Sequence, residues 1–233
     1  MLTVFTSSYN HGKFLDAAIQ SVLAQTYRDF EYLIYDDGST DNTWDVIQKY
    51  NDSRIKAVKL DKTANLATVI NKSLEIYQGD AWLWCPADDV WLPNLLDVKV
   101  KYHEEYPNSI SYSDWEIIDG EDNHICKRKG KRCTPKEYRN DVWSKRPVMG
   151  FTGIYIPRPV FDLVGLFPEH WDCSEDFCWM VKSCADGVDY RCIPQILYYK
   201  RKHGNTESVR NSATVDERVS GIMAEVIKYK ESL

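Results

Sequence analysis

Short apolar runs alternate with amphipathic stretches through the first half of the chain. Leu2-Thr3-Val4-Phe5-Thr6 is too short for a helix and rich in β-branched and aromatic side chains, which predicts a strand. Phe30–Tyr35, Arg54–Leu60 and Ala81–Cys85 have the same character. Between them, Phe14–Gln25 sets Leu15, Ala18, Ile19, Val22 and Leu23 at helical spacing, one stripe facing a sheet, and Thr43–Tyr50 and Leu66–Tyr77 also read as helices. Such alternation implies parallel strands, right-handed crossovers and helices on both faces, so the expected class is α/β with a Rossmann-like, mostly parallel central sheet. After a helix over Leu95–Tyr106 the pattern loosens. It predicts strands over Ser109–Ile118, Thr152–Ile156 and Tyr190–Tyr199, a polar loop over Asp119–Arg139, a helical turn at Val160–Val164 and a closing helix over Thr214–Lys230. The expectation is a single domain over residues 1–233, divided at residue 108 into two halves.

Three of these strands run into polar loops. Ser7-Ser8-Tyr9-Asn10-His11-Gly12 follows the first, Asp36-Asp37-Gly38-Ser39-Thr40-Asp41 the second and Asp88-Asp89 the fourth. Ligands of open α/β sheets sit outside the carboxyl ends of the strands, so the loops are expected to converge on one cleft. Adjacent carboxylates repel, and a divalent cation whose shell is completed by phosphates makes such a pair favourable. A competing reading makes Asp88 the cap of the helix that Pro93 helps to start. Ser39, Thr40 or Asp41 would cap the helix at Thr43, which leaves Asp36 and Asp37 unexplained. Glu175-Asp176 is open in the same way, between the first turn of a helix capped by Ser174 and a chemical role.

Composition narrows the ligand more than the fold. Aromatic residues make up 13% of the chain, with 8 Trp and 15 Tyr, enough to line a cleft for nucleobases and sugar rings. A net charge of 29 − 35 = −6, with no long basic block, argues against nucleic acid as a partner. The 7 cysteines read as free thiols of a reducing compartment, and Cys173, Cys178, Cys184 and Cys192 lack zinc-site spacing. No stretch approaches the ~20 apolar residues of a membrane span, so the expected localisation is soluble and cytoplasmic. Neither a dinucleotide glycine fingerprint nor a phosphate loop ending in Gly-Lys-Ser/Thr occurs, which leaves metal as the means of holding phosphates.

Thr6-Ser7-Ser8-Tyr9-Asn10, Ser21–Tyr27 with Phe30-Glu31, Asp36–Asp41, Asp88-Asp89 with Pro93, Gly165-Leu166-Phe167, Glu175-Asp176 and His203–Ser208 together resemble the family 2 glycosyltransferases of the GT-A fold. The resemblance covers nearly the whole chain. It implies that residues 1–108 bind a nucleotide sugar, with Thr6, Ser7, Tyr9, Asp36, Asp37, Asn71 and Asp88 at the donor. It further implies that Asp88, Asp89 and His203 hold Mn²⁺ or Mg²⁺, and that Asp176, with Glu175 beside it, is the general base. In the acceptor half, residues 109–233, Trp171 and Trp179 would form an apolar wall. The implied activity is inverting transfer from a UDP-sugar to a hydroxyl of a glycan or lipid-linked acceptor in bacterial-type polysaccharide synthesis, at the inner face of the membrane.

The chain departs from that pattern in three places. Pro86-Ala87-Asp88-Asp89 stands where the family often has Asp-x-Asp-Asp, so one carboxylate is missing, as in a spore-coat member. Val69-Ile70-Asn71 replaces Ala-Arg-Asn, leaving Lys62 or Lys72 to take over a phosphate contact. The Gln-x-x-Arg-Trp motif of processive members is absent, which favours a single transfer per binding event. A sugar-nucleotide-binding module without turnover is the alternative, resting on Pro86 alone. A nucleotidyltransferase is a weaker third reading, since its Gly-rich, Lys-containing opening is missing.

Overall fold

The computed structural model describes residues 1–63, 65–143, 150–170 and 175–204, together with Gly221 and Ala224. In chain order the elements are β1 (Leu2–Ser8), α1 (Leu15–Leu23), β2 (Phe30–Asp37), α2 (Thr43–Gln48), β3 (Ile55–Leu60), α3 (Leu66–Ile76), β4 (Ala81–Trp84), β5 (Val90–Trp91), α4 (Leu95–Glu105), β6 (Ile110–Ile118), β7 (His124–Arg128), α5 (Pro135–Trp143), β8 (Tyr155–Pro157), α6 (Arg158–Val164), α7 (Glu175–Ala185) and β9 (Tyr190–Arg201). The expected cap Ser174, the expected wall residue Trp171 and the closing helix Thr214–Lys230 lie outside the described residues, apart from Gly221 and Ala224, which are helical.

One sheet runs through both halves in the order β3-β2-β1-β4-β8-β6-β9-β5, with β7 attached to β6. Strands β3, β2, β1 and β4 are parallel, as the alternation of apolar runs predicts. Beyond them β8 runs antiparallel to β4 and β6, and β6 and β9 pair in parallel. Helices cover both faces. On one, α1, α2 and α4 bury Leu15, Ile19, Val46, Ile47, Leu95 and Leu96 against Val4, Tyr32, Ile34 and Leu83. On the other, α3, α5, α6 and α7 bury Ile70, Tyr138, Phe161 and Trp179 against Phe5, Leu33, Trp82 and Tyr190.

Two features differ from the sequence-based expectation. The stretch Asp119–Arg139 is not a loop: it holds β7, which pairs antiparallel with β6, and the start of α5. Strand β7 is largely exposed on its outer edge, so it carries no apolar alternation to read. Helix α5 does carry a signal, Thr134-Pro135-Lys136-Glu137, in which the Glu137 carboxylate accepts from the Thr134 N–H at 2.8 Å and the Glu137 N–H donates to the Thr134 hydroxyl at 3.3 Å. The second feature is β5, a two-residue strand pairing antiparallel with Tyr198 and Tyr199 of β9. Its brevity hid it, and it proves to position the acidic loop described below.

Among the described residues no helix is long and apolar enough to cross a membrane. Cys85, Cys126, Cys133, Cys178, Cys184 and Cys192 are free thiols, as their spacing suggests.

Lys99 of α4 is wholly buried, where its ammonium donates to the Ser111 carbonyl at 2.9 Å, and burial pulls its pKa down to about 7. At Lys99 the unfolded chain therefore binds more protons than the folded one above about pH 7, which adds stability with rising pH, by at most roughly 1 kcal/mol per pH unit. Burial raises the thiols of Cys85, Cys133, Cys184 and Cys192, which opposes this as the pH nears about 8.5, so the net rise is expected between about pH 7 and pH 8. Denaturant titrations at several pH values check this, and Lys99→Met should flatten the slope.

Candidate active site

The carboxyl ends of β1, β2 and β4 form one rim, and the side chains there take their direction from strand geometry. Successive residues of a strand point to opposite faces, so Asp36 and Asp37 do not confront each other. Asp36 turns toward the face covered by α1 and α2, wholly buried, with one oxygen accepting from the Ser39 N–H at 3.0 Å. Asp37 turns the other way. One of its oxygens accepts from the Thr63 N–H at 2.7 Å, and the other meets the Lys62 ammonium, which also lies 4.5 Å over the ring of the exposed Tyr9. Gly38 makes this approach feasible: its φ is +73°, and a Cβ there would stand 2.6 Å from the Lys62 backbone nitrogen. Asp37, Lys62 and Tyr9 thus form one polar and aromatic corner. Lys72 is not part of it by any described side-chain contact.

Thr6 takes no part in the rim through its side chain. It is wholly buried, and its hydroxyl sits 2.6 Å from the Cys85 carbonyl and 2.9 Å from the Tyr32 hydroxyl. Ser7, on the same face as Asp37, stays half-buried at the strand end. The turn that follows is knitted to the loop after β2. Asn10 adopts a left-handed conformation, φ +56°, which asparagine tolerates, and its side-chain oxygen accepts from the Thr40 N–H at 2.8 Å. The His11 N–H donates to the Thr43 hydroxyl at 3.1 Å and the Gly12 N–H to Asp41 at 3.0 Å, while Asp41 also accepts from the Thr43 N–H at 2.9 Å. Much of the polarity of Asn10 and of Ser39–Asp41 therefore serves to fix where His11 stands.

The loop after β4 is held by β5 and β9. Because Val90 pairs with Tyr199, the residues preceding β5 run alongside those completing β9. Asp89 is buried there, accepting from the Arg201 N–H at 2.8 Å and from the Thr152 hydroxyl at 2.6 Å. Burial, and then the neighbouring charge of Asp88, push its pKa up to about 7. Arg201, itself buried and packed over Phe14, donates to the Asp88 carbonyl at 2.9 Å. This clamp leaves the Asp88 carboxylate facing His203, whose Nε2 is 3.1 Å away. Asp88 is not a helix cap, since the cap position of α4 is Asn94, which makes no side-chain cap bond.

His11 completes the cluster. One ligand atom from each of His11, Asp88 and His203 lies within 4.8 Å of the others, the half-buried donors coming from three distant stretches of chain. Two imidazoles and a carboxylate suit Mn²⁺ or another divalent transition ion better than Mg²⁺, which prefers oxygen donors throughout, so the residues present fit a metal of the Mn²⁺ kind. Of the expected donors Asp88, Asp89 and His203, the structure brings Asp88 and His203 together with His11, while Asp89 is turned onto the Arg201 N–H and the Thr152 hydroxyl. His11 lies just past the end of β1 and gave little local sign of this role, because its partners come from distant stretches of chain.

The remaining expected residues lie on the opposite face. Glu175 is buried and Asp176 half-buried, both in the first turn of α7, where one Asp176 oxygen accepts from the Phe177 N–H at 2.6 Å. Asn71 is not open to a ligand through its amide hydrogens. Its Nδ2 donates to the Phe167 carbonyl and to a Glu169 oxygen, each at 2.9 Å, which uses both. Trp179 is wholly buried, stacked on Phe167 and donating to the Gly165 carbonyl at 2.9 Å, so it is a core residue instead of an exposed acceptor wall.

Comparison with known proteins identifies the family and the fold. The profile of Glycosyl transferase family 2 matches residues 3–163. UDP-Glc:alpha-D-GlcNAc-diphosphoundecaprenol beta-1,3-glucosyltransferase WfaP of Escherichia coli is 32% identical over 212 residues, covering 89% of this chain and 80% of that protein. Among solved structures, S. aureus TarS in complex with UDP-GlcNAc aligns with a TM-score of 0.72 at 19% identity, over 88% of this chain and 59% of that one. The mannosyltransferase PcManGT of Pyrobaculum calidifontis, in complex with GDP-Man and Mn²⁺, aligns with a TM-score of 0.73 at 16% identity, over 97% of this chain and 64% of that one. At these identities the solved structures speak for the fold, which is GT-A, and this chain spans less than two thirds of either. The profile match over more than half of the chain, and the 32% identity to WfaP across 80% of that protein, establish that the chain belongs to glycosyltransferase family 2.

Proposed function

We propose that this chain is an inverting, metal-dependent glycosyltransferase that moves a sugar from a UDP-sugar to a hydroxyl of a lipid-linked or polysaccharide acceptor. The observation that carries the reading is the His11, Asp88 and His203 cluster, assembled at the strand ends where nucleotides bind in α/β sheets. The acceptor class comes from relatives such as WfaP, whose name specifies a lipid diphosphate acceptor. A lipid-linked acceptor would bring the chain to a membrane surface by peripheral association.

Each group has one task. His11, Asp88 and His203 would hold a divalent ion, which when bound would offset negative charge on a departing diphosphate. Tyr9 offers a face for the base, and Asp37, whose oxygens keep lone pairs beyond those facing Thr63 and Lys62, accepts from the base N–H. Asp176 takes the proton of the acceptor hydroxyl as that oxygen bonds to the anomeric carbon, and the bond to the diphosphate breaks with its electron pair leaving on phosphate. Thermal-shift screening of nucleotide sugars with Mn²⁺ tests the donor: one present at 100 times its dissociation constant should stabilise the protein by about 2.7 kcal/mol. Release of UDP from that donor, with a GlcNAc-diphospho-lipid as acceptor, separates an enzyme from a binding module without turnover.

Asp37→Ala is expected to weaken UDP binding by about 10-fold or more, the loss of a charge-assisted hydrogen bond. Calorimetry with UDP measures it, and an unchanged affinity in the folded variant removes Asp37 from the base site.

A further inference from the structure

Asn71, Thr68 and Asn65 lie on one stripe of α3 and its cap, and all three reach across to the segment Phe167–Glu169, about a hundred residues away in sequence. Asn71 reads the backbone of Phe167 at two points: its Oδ1 accepts from the Phe167 N–H at 2.9 Å and its Nδ2 donates to the Phe167 carbonyl at 2.9 Å. The second Nδ2 hydrogen goes to Glu169 at 2.9 Å. Thr68 donates to the other Glu169 oxygen at 2.9 Å, and Asn65, the cap of α3, donates to the Glu169 carbonyl at 2.6 Å. The segment so gripped then grips α7. The Phe167 ring stacks on Trp179 with centroids 4.9 Å apart and planes 12° from parallel, while the Trp179 indole N–H holds the Gly165 carbonyl at 2.9 Å. Trp179 is one helical turn on from Glu175 and Asp176, so its seat fixes where that first turn stands.

We propose that Asn71 is a positioning residue that locks the Phe167–Glu169 segment, and through the Phe167–Trp179 stack holds the Glu175-Asp176 turn against the nucleotide-binding half. An asparagine is required because the site presents one N–H and two acceptors, the Phe167 carbonyl and the Glu169 carboxylate, which only an amide of this length matches. Buried among backbone groups, it fixes geometry while leaving the nucleotide corner at Asp37 untouched. The proposal rests on Asp176 being the base.

The test is Asn71→Asp, which has the same shape but turns both donated bonds into oxygen–oxygen contacts. With UDP-glucose as donor, kcat is expected to fall by about 10-fold to 100-fold, the loss that follows small misplacement of a reacting group, while the Kd for UDP stays within about twofold. Adding Glu169→Gln places an N–H opposite the new carboxylate and should recover part of kcat. If Asn71→Asp fails to fold, Glu169→Ala, on the exposed side of the clamp, should lower kcat several-fold at unchanged UDP affinity. Weakened UDP binding with unchanged kcat, or an unchanged kcat in the folded variants, overturns the proposal. Asp176→Asn, assayed alongside, keeps the two ideas apart: normal transfer in that variant with slow transfer in Asn71→Asp removes the base and leaves the clamp.

Discussion

Asp88→Asn is expected to lower turnover by about 10³-fold and to abolish Mn²⁺ binding, with the fold intact. In the proposed site Asp88 is the one carboxylate among three candidate donors, so it would supply the negative charge that favours a divalent ion there. A bound ion contributes several kcal/mol toward the charge that develops on a leaving diphosphate, and each 1.36 kcal/mol is tenfold in rate. The fold should tolerate the change because the loop is held through other groups: the Asp88 carbonyl by Arg201, and Asp89 by the Arg201 N–H and Thr152. EDTA should reproduce the loss in the unmodified protein and added Mn²⁺ should restore it, read as UDP release. His11→Ala is the sharper control, since strand-end carboxylates alone would leave its removal without effect on Mn²⁺ affinity. Turnover that survives both EDTA and Asp88→Asn would falsify the metal assignment.

Asp176→Asn is expected to lose about 10²-fold or more in transfer while donor affinity stays near that of the unmodified protein. The expectation follows from place: the candidate metal donors come from the strand ends around β1, β4 and β9, whereas Asp176 comes from α7 on the face covered by α3, α5 and α6. Inversion needs the base and the leaving diphosphate on opposite sides of the sugar. A purely structural Asp176 behaves differently. Its contact with the Phe177 N–H is one that asparagine also makes, so the variant would lose only a few tenths of a kcal/mol of stability and keep its rate. Measuring transfer and UDP-sugar affinity on the same preparation decides between them, and a normal rate returns Asp176 to the helix.

Much of the layout was legible in the chain itself. Burial of Val4, Leu33 and Leu83 inside a covered parallel sheet demands apolar runs, and burial of one stripe of α1 demands its period, so both are written locally. The same locality made the acidic strand ends visible, because a carboxylate at the end of a buried run is conspicuous against its neighbours.

Side-chain direction and partnership were not local, and there the outcome differed. Asp36 and Asp37 look like a pair, yet the pleat sends them to opposite faces; Asp88 and Asp89 look like a metal pair, yet the two-residue β5 lays Asp89 against Arg201 and Thr152. Asn71 and Trp179 carry groups that suit ligands, but each is satisfied by backbone from the Gly165–Phe167 segment. His11 gave little local sign of a role, because its two partners arrive from the loop after β4 and from the end of β9. By itself the sequence determined periodicity, hence elements, class and the rim on which chemistry gathers. Only the tertiary structure decided which polar atoms face each other there, since a hydrogen bond or a ligand set depends on distances of a few ångströms between segments that the order of residues does not encode.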